Sequence, residues 1–332
     1  MRQSLLAVIA GAVLISGPAA AQKYNVTVGG YSPGGLVSTM GAGLDAALNA
    51  AYPGSTVTYQ TSSGGLANAM LLQRKQVPMA FIADTELNLV VNGKPPFKEP
   101  MKNLRILMRP YVPASRFQAT HTLANKEWAE KHGIETFADI AAKKPPMRIA
   151  VNRPGNLDGD VSINTLKAIG VSLDDIKSWG GQVVRAASRE MTSLMLDRRL
   201  DVVSFGISVN HPRVREMANG LELRMLPMDQ SVAEKVATDM GAEACPITPA
   251  DYKFLASESA SVCVGMALVV RADMDDQMAY NITSGVFNNV EKFKAAHRLL
   301  GKVVTPERLA KPGQAPFHPA ALKYLKEKGL AK

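Results

Sequence analysis

Short apolar segments that alternate with helical ones, joined by glycine-rich turns, constrain this chain more than any other feature. "YNVTVGG" (24–30) alternates as a strand does and passes through "YSPGG" into the helical periodicity of 36–51. "TVTYQTSS" leads through a Gly-Gly pair into "LANAMLLQRKQ", "PMAFIAD" leads into "TELNLVVNG", and "NLRILMRPYV" is a fourth apolar strand. Strands that alternate with helices fold as a parallel sheet with helices on its faces. Ligands of such sheets sit beyond the carboxyl ends of the strands, where the helices begin.

After "YVPAS" the pattern starts again. "RFQATHTLAN" reads as a strand, "WAEKHGIETFADIAAK" as a helix, and "MRIAVNRPG" as a strand ending in a turn. The helices "DGDVSINTLKAIG" and "REMTSLMLDRRL", the strand "DVVSFGIS" and a helix near 212–219 follow. "ASVCVGMALVVRADM" is an apolar strand that returns the chain to the first set, and a helix over about 274–297 and the tail "HPAALKYLKEKG" complete it. The expected architecture is α/β with two lobes, each a mostly parallel sheet flanked by helices. Residues 22–113 plus 262–332 form the first lobe, 114–261 the second, and two crossovers make the hinge. At 332 residues the chain exceeds the size at which single cores stop growing, which favours two lobes.

The N-terminus "MRQSLLAVIAGAVLISGPAAAQ" runs from Arg2 through an apolar stretch to Ala19-Ala20-Ala21, the order of a secretory signal peptide spanning 1–21. Its apolar run is too short to cross a bilayer, which takes about 20 residues. Gln22 rather than Cys follows the expected cut, so the mature protein is expected to be a soluble, periplasmic monomer without a lipid anchor. The formal charge of +9 comes from Lys and Arg interleaved with acids, and aromatics are 6% of the chain, so no basic aromatic surface for nucleic acid arises. That charge is compatible with an anionic ligand. Cys245 and Cys263 lack Cys-x-x-Cys spacing; they form either a disulfide across neighbouring strands or two unpaired thiols.

"GYSPG" (30–34) matches the Gly-x-Ser-x-Gly of a hydrolase nucleophile turn. The residue after Ser32 is Pro33, which has no N–H for the oxyanion hole, a loss of about 100- to 1000-fold in rate. Ser32 also lies too near the mature N-terminus for the preceding strands and oxyanion loop of that fold. No enzyme is expected, and no catalytic residue, cofactor or metal site. Glycines and a helix N-terminus together do make an anion site. The turn at Tyr31, Ser32, Gly34 and Gly35 has counterparts at Ser62, Ser63, Gly64 and Gly65, and at Arg153, Gly155, Asn156 and Asp158. With Gly206 and Asn210 from "FGISVN", these turns are expected to line one polar pocket between the lobes.

The order of these turns resembles the TAXI-type solute-binding subunits of TRAP transporters. The resemblance is carried by Gly34-Gly35, by Ser63-Gly64-Gly65-Leu66, by Ala83-Asp84 and by Pro154-Gly155-Asn156-Leu157-Asp158. "HPAA" at 318–321 before a basic helix completes it. It implies a type II-like periplasmic binding-protein fold, a small carboxylate ligand such as glutamate or 2-oxoglutarate, and delivery to paired TRAP membrane subunits. Asp84 would touch ligand or cap its helix, and His318 would structure the C-terminal turn in preference to contacting ligand. Leu36, Val37 and Ser38, Leu66, and Asn156 and Asp158 beside Arg153 depart from the family's hydroxyl-rich pattern and leave the particular ligand open. A binding protein of an ABC importer or a sensor kinase, or an enzyme on a similar fold, are the alternatives.

Overall fold

The structure is a computed structural model that describes residues 22–31 and 36–332; the expected signal segment and Ser32, Gly34 and Gly35 lie outside the described residues. The first sheet contains β1 (Asn25–Gly29), β2 (Thr56–Gln60), β3 (Met79–Ala83) and β4 (Leu104–Tyr111). The second contains β5 (Ala119–Asn125), β6 (Arg148–Val151), β7 (Gln182–Arg185), β8 (Val202–Ile207), β9 (Leu223–Met225), β10 (Glu243–Ile247) and β11 (Ser259–Cys263). β12 (Met266–Arg271) rejoins the first, whose order is β2-β1-β3-β12-β4. The second runs β10-β11-β5-β8-β6-β7, with β9 also on β5.

Each sheet is buried by helices whose apolar residues recur on one face. The helix Leu36–Ala51 buries Met40, Leu44, Ala47 and Leu48. It packs on β2 and on the C-terminal helices Asp276–Asn288 and Val290–Ala295. β3, "MAFIA", is buried along its whole length because it is central in its sheet.

The connectivity explains the strand directions. β1 is parallel to β2 and β3, and β6 is parallel to β7 and β8. β5 leaves the hinge and β11 returns to it, so Cys263 pairs antiparallel with Ala119. β12 leaves the hinge beside the arriving β4, with Met266 opposite Tyr111. The second sheet is therefore mixed rather than mostly parallel: β5 is antiparallel to β8, β9 and β11. The apolar run 260–274 is two strands in different sheets, and the return crossing is Val264–Gly265 rather than 262. The Val264 amide donates to the Gln118 carbonyl at 2.9 Å, which ties the two crossings together.

Two expected helices are broken. "WAEKHGIETFADIAAK" divides at Gly133, whose φ of 66° ends the first piece, and the C-terminal helix divides at Asn289. Cys245 and Cys263 are joined in a disulfide between β10 and β11, with Cα atoms 5.8 Å apart.

Candidate functional site

A cavity of about 540 Å³ lies between the lobes, within the range typical of small-ligand sites. The first lobe contributes Tyr31, the start of the helix Leu36–Ala51, Ser63, Tyr111 and the segment His297–Leu299. The second contributes Phe117, Gln118, Gly155–Asp158, Gly206–Ser208 and His211–Arg213. Tyr31, Ser63, Tyr111, Gly155–Asp158 and Gly206–Ser208 lie at the carboxyl ends of strands in the two sheets, so the position follows from the topology.

The first-lobe turn at Ser62–Gly65 is occupied from within. Tyr31 donates its hydroxyl hydrogen bond to Glu86 Oε2, and the Gly65 amide donates to Glu86 Oε1 at 2.8 Å. A Cβ at Gly65 would collide with that carboxylate, so only glycine lets the acid reach the helix end. The Tyr31 oxygen in turn accepts from the Ala83 amide at 3.1 Å. Burial pushes the Glu86 carboxyl up, and burial with the adjacent acid holds the Tyr31 phenol well above its ordinary value. Ser62 donates to the Gly30 carbonyl at 2.6 Å and accepts from the Gly64 amide at 3.1 Å, closing its own turn. Of this group only Tyr31 and Ser63 line the cavity; Ser62, Gly64 and Gly65 build the turn behind it.

The second-lobe turn is also self-capped. Asn156 Oδ1 accepts from the Asp158 amide at 2.9 Å. Asp158 lines the cavity, and its Oδ1 accepts from Gln118 Nε2 at 2.5 Å; Tyr111 donates to the other end of that amide, Oε1, at 2.7 Å. Burial, opposed by the Gln118 bond and reinforced by Glu86 and Asp160, pushes Asp158 up to about 7. Gly206 and Gly155 line the cavity.

Opposite in charge is a cluster that motif reading missed: His211, Arg213, His297 and Arg298 all line the cavity. His211 Nδ1 accepts from the Arg213 amide at 3.1 Å and so caps the helix Pro212–Gly220. Burial, with Arg213 and His297 nearby, pushes His211 down to about 4, so the ring is neutral at pH 7. Neither Arg213 nor Arg298 has a carboxylate partner among the described residues. Ser208 also lines the cavity, and its buried hydroxyl has no hydrogen-bond partner among them.

A sequence profile of the NMT1-like family matches residues 29–329. The chain belongs to the NMT1-like family. No curated protein matches it. Solved structures share the fold of this NMT1-like chain at low identity. XAC2383 from Xanthomonas citri, solved bound to chloride, is 12% identical, with 92% of this chain and 96% of that one covered and a TM-score of 0.54. MatC from Rhodopseudomonas palustris, with bound malate, is 12% identical over 93% and 99%, at 0.52. The binding protein component of an ABC phosphonate transporter from Pseudomonas aeruginosa is 12% identical over 87% and 84%, at 0.50. The α/β fold with two lobes is that of periplasmic binding proteins.

Other expected site residues of the NMT1-like chain stand apart from the cleft. Asp84 is buried in an ion pair with Arg109, and its amide donates to the Gly265 carbonyl at 2.9 Å, so it braces the return crossing. Burial, offset by Arg109, pushes its carboxyl up to about 6. Arg153 pairs with Glu190 at 3.1 Å on the exposed surface. Asn210 donates its amide to the Tyr252 hydroxyl at 2.8 Å, anchoring the loop that carries His211 and Arg213. His318 caps the helix Pro319–Glu327 through Nδ1, 3.3 Å from the Ala320 amide, and thus structures the C-terminal turn. Among the described residues no helix is long and apolar enough to cross a membrane, and no cluster of His, Cys, Asp or Glu could hold a metal ion.

Proposed function

We propose that this chain is an extracytoplasmic solute-binding protein that captures a small anionic solute, of carboxylate type, and performs no chemistry on it. The observation that carries this is that Arg213 and Arg298, neither with a carboxylate partner among the described residues, line a cavity whose walls come from both lobes. Guanidinium groups meet carboxylates in two parallel hydrogen bonds, and a low-dielectric cleft strengthens such contacts. The solute lands on one lobe, and rotation about the crossings near 112–118 and 264–265 brings the other over it. The anionic solutes named for MatC and XAC2383 are consistent with such a site. The disulfide Cys245–Cys263 suits an oxidising compartment, in keeping with the signal-like N-terminus and periplasmic residence.

The turn order supports delivery to TRAP-type membrane subunits. Delivery to an ABC importer is the second reading, favoured by the likeness to the phosphonate-transporter component. Thermal unfolding of the mature protein with dicarboxylates, amino acids, phosphonates and sugars tests the capture step. A ligand at about one hundred times its dissociation constant adds about 2.7 kcal/mol of stability. Acids are expected to raise the melting temperature; a shift from neutral sugars alone would refute the anion site.

A further inference from the structure

We propose that Asp158 decides which anions the cleft accepts: the solute must offer a hydrogen-bond donor, an ammonium or hydroxyl group, to this carboxylate while its own anionic group meets the arginines. The proposal rests on the anion-capture function above and adds a second requirement to it.

The geometry divides the cleft. Asp158 stands half-buried in the wall, and no cation pairs with it among the described residues. Gln118 donates to Oδ1, and Tyr111 holds that amide in the donating orientation by taking Oε1. On the β8 side a Cβ at Gly206 would collide with Asp158 Oδ1, so the carboxyl rests against bare backbone. The charged groups that act on Asp158 are Glu86, from the helix Asp84–Asn92, and Asp160, on its own helix; both are acidic. The groups that act on His211 are Arg213 and His297, both basic. Asp158 and the basic residues thus line one cavity, and the buried Ser208 hydroxyl in the same wall, without a partner among the described residues, leaves a further polar group for a ligand to satisfy.

A carboxylate among acids repels a second anion and accepts an N–H or O–H. With its carboxyl raised to about 7, Asp158 in acid is itself a donor to an anion, and above that value it is only an acceptor. The preference for donor-bearing anions therefore grows as pH rises.

Titration calorimetry with L-malate against succinate, and L-glutamate against glutarate, tests this in the wild type, Asp158→Asn and Asp158→Glu. At about pH 8 the wild type is expected to prefer the donor-bearing acid of each pair by about tenfold or more, the worth of one hydrogen bond to a charged group. At about pH 6 the ratio shrinks. Asp158→Asn brings both ratios to within about twofold, and Asp158→Glu, which restores the charge, keeps the preference. Equal binding within each pair in the wild type at the higher pH overturns the proposal, as does a preference unchanged in Asp158→Asn. If Arg213→Ala/Arg298→Ala binds all four acids as the wild type does, or the wild type binds none, the anion site itself fails. If the arginines matter and the ratios ignore Asp158, only the proposal of this subsection fails.

Discussion

Two helix starts, one behind the cleft wall and one on it, meet opposite fates. At Gly65 the buried amide donates to an internal carboxylate, Glu86, and the positive end of the helix is satisfied within the protein. At Pro212 the cap is a neutral histidine, and the next residue, Arg213, lines the cavity with no carboxylate partner among the described residues. A glycine-rich turn therefore marks where a cleft is built, while the residues that can hold an anion are side chains on a different turn.

The sharpest way to break this contrast is to remove the basic side. Arg213→Ala/Arg298→Ala is expected to weaken carboxylate binding by more than about 100-fold, since each hydrogen bond to a charged group contributes about 1.5–3 kcal/mol. Calorimetry showing less than a tenfold loss would return the anion site to the helix amides.

The two lobes also differ covalently, because the only disulfide among the described residues lies in the second. Cys245→Ala/Cys263→Ala closes no 18-residue loop and is expected to cost about 3 kcal/mol in urea unfolding. A loss under about 1 kcal/mol would show that the cross-link hardly constrains the unfolded chain.

Tyr31→Phe takes one donor from the buried Glu86 carboxylate. It is expected to cost about 1–3 kcal/mol of stability while leaving anion affinity within about threefold. A large affinity loss without a stability loss would move Tyr31 from the internal network to the ligand.

A further contrast lies in the pH dependence of the acidic wall. Because the folded carboxyl of Asp158 titrates at about 7, above the unfolded value, the folded state holds more protons across that window. Its contribution to stability falls as pH rises from about 4 to about 7. His211 acts in the opposite sense: held at about 4, it costs stability as pH drops from about 6.5. Subtracting the wild-type profile from that of Asp158→Asn isolates the first. A difference that is flat with pH would mean that Asp158 titrates as an ordinary exposed carboxylate.

Much of the fold was legible because β1 to β6 and β8 carry clear apolar patterns and turn signals. β7, "QVVR", and β9, "LRM", are too short to show a period, and β9 is fixed by its pairing with β5. The return crossing was hidden because β11 and β12 are both buried, so the change of sheet at Val264–Gly265 leaves no polar break. The broken helix did show its sign, Gly133, within an otherwise helical pattern. At the site, the turns at Tyr31, Ser63, Gly155 and Gly206 were readable as cleft positions. Glu86 was not, because its burial depends on Gly65 and Tyr31, distant in sequence. Arg213 and Arg298 look like solvated helix charges locally. The one available hint was His211-Pro212, the same His-Pro helix start as His318-Pro319.

A crystal structure of the mature protein with the most stabilising acid from the thermal screen tests the central claim most directly. The solute's carboxylate is expected between the lobes, about 3 Å from the guanidinium nitrogens of Arg213 or Arg298. A carboxylate seated instead on the amides around Gly65, or outside the cleft, would contradict the account.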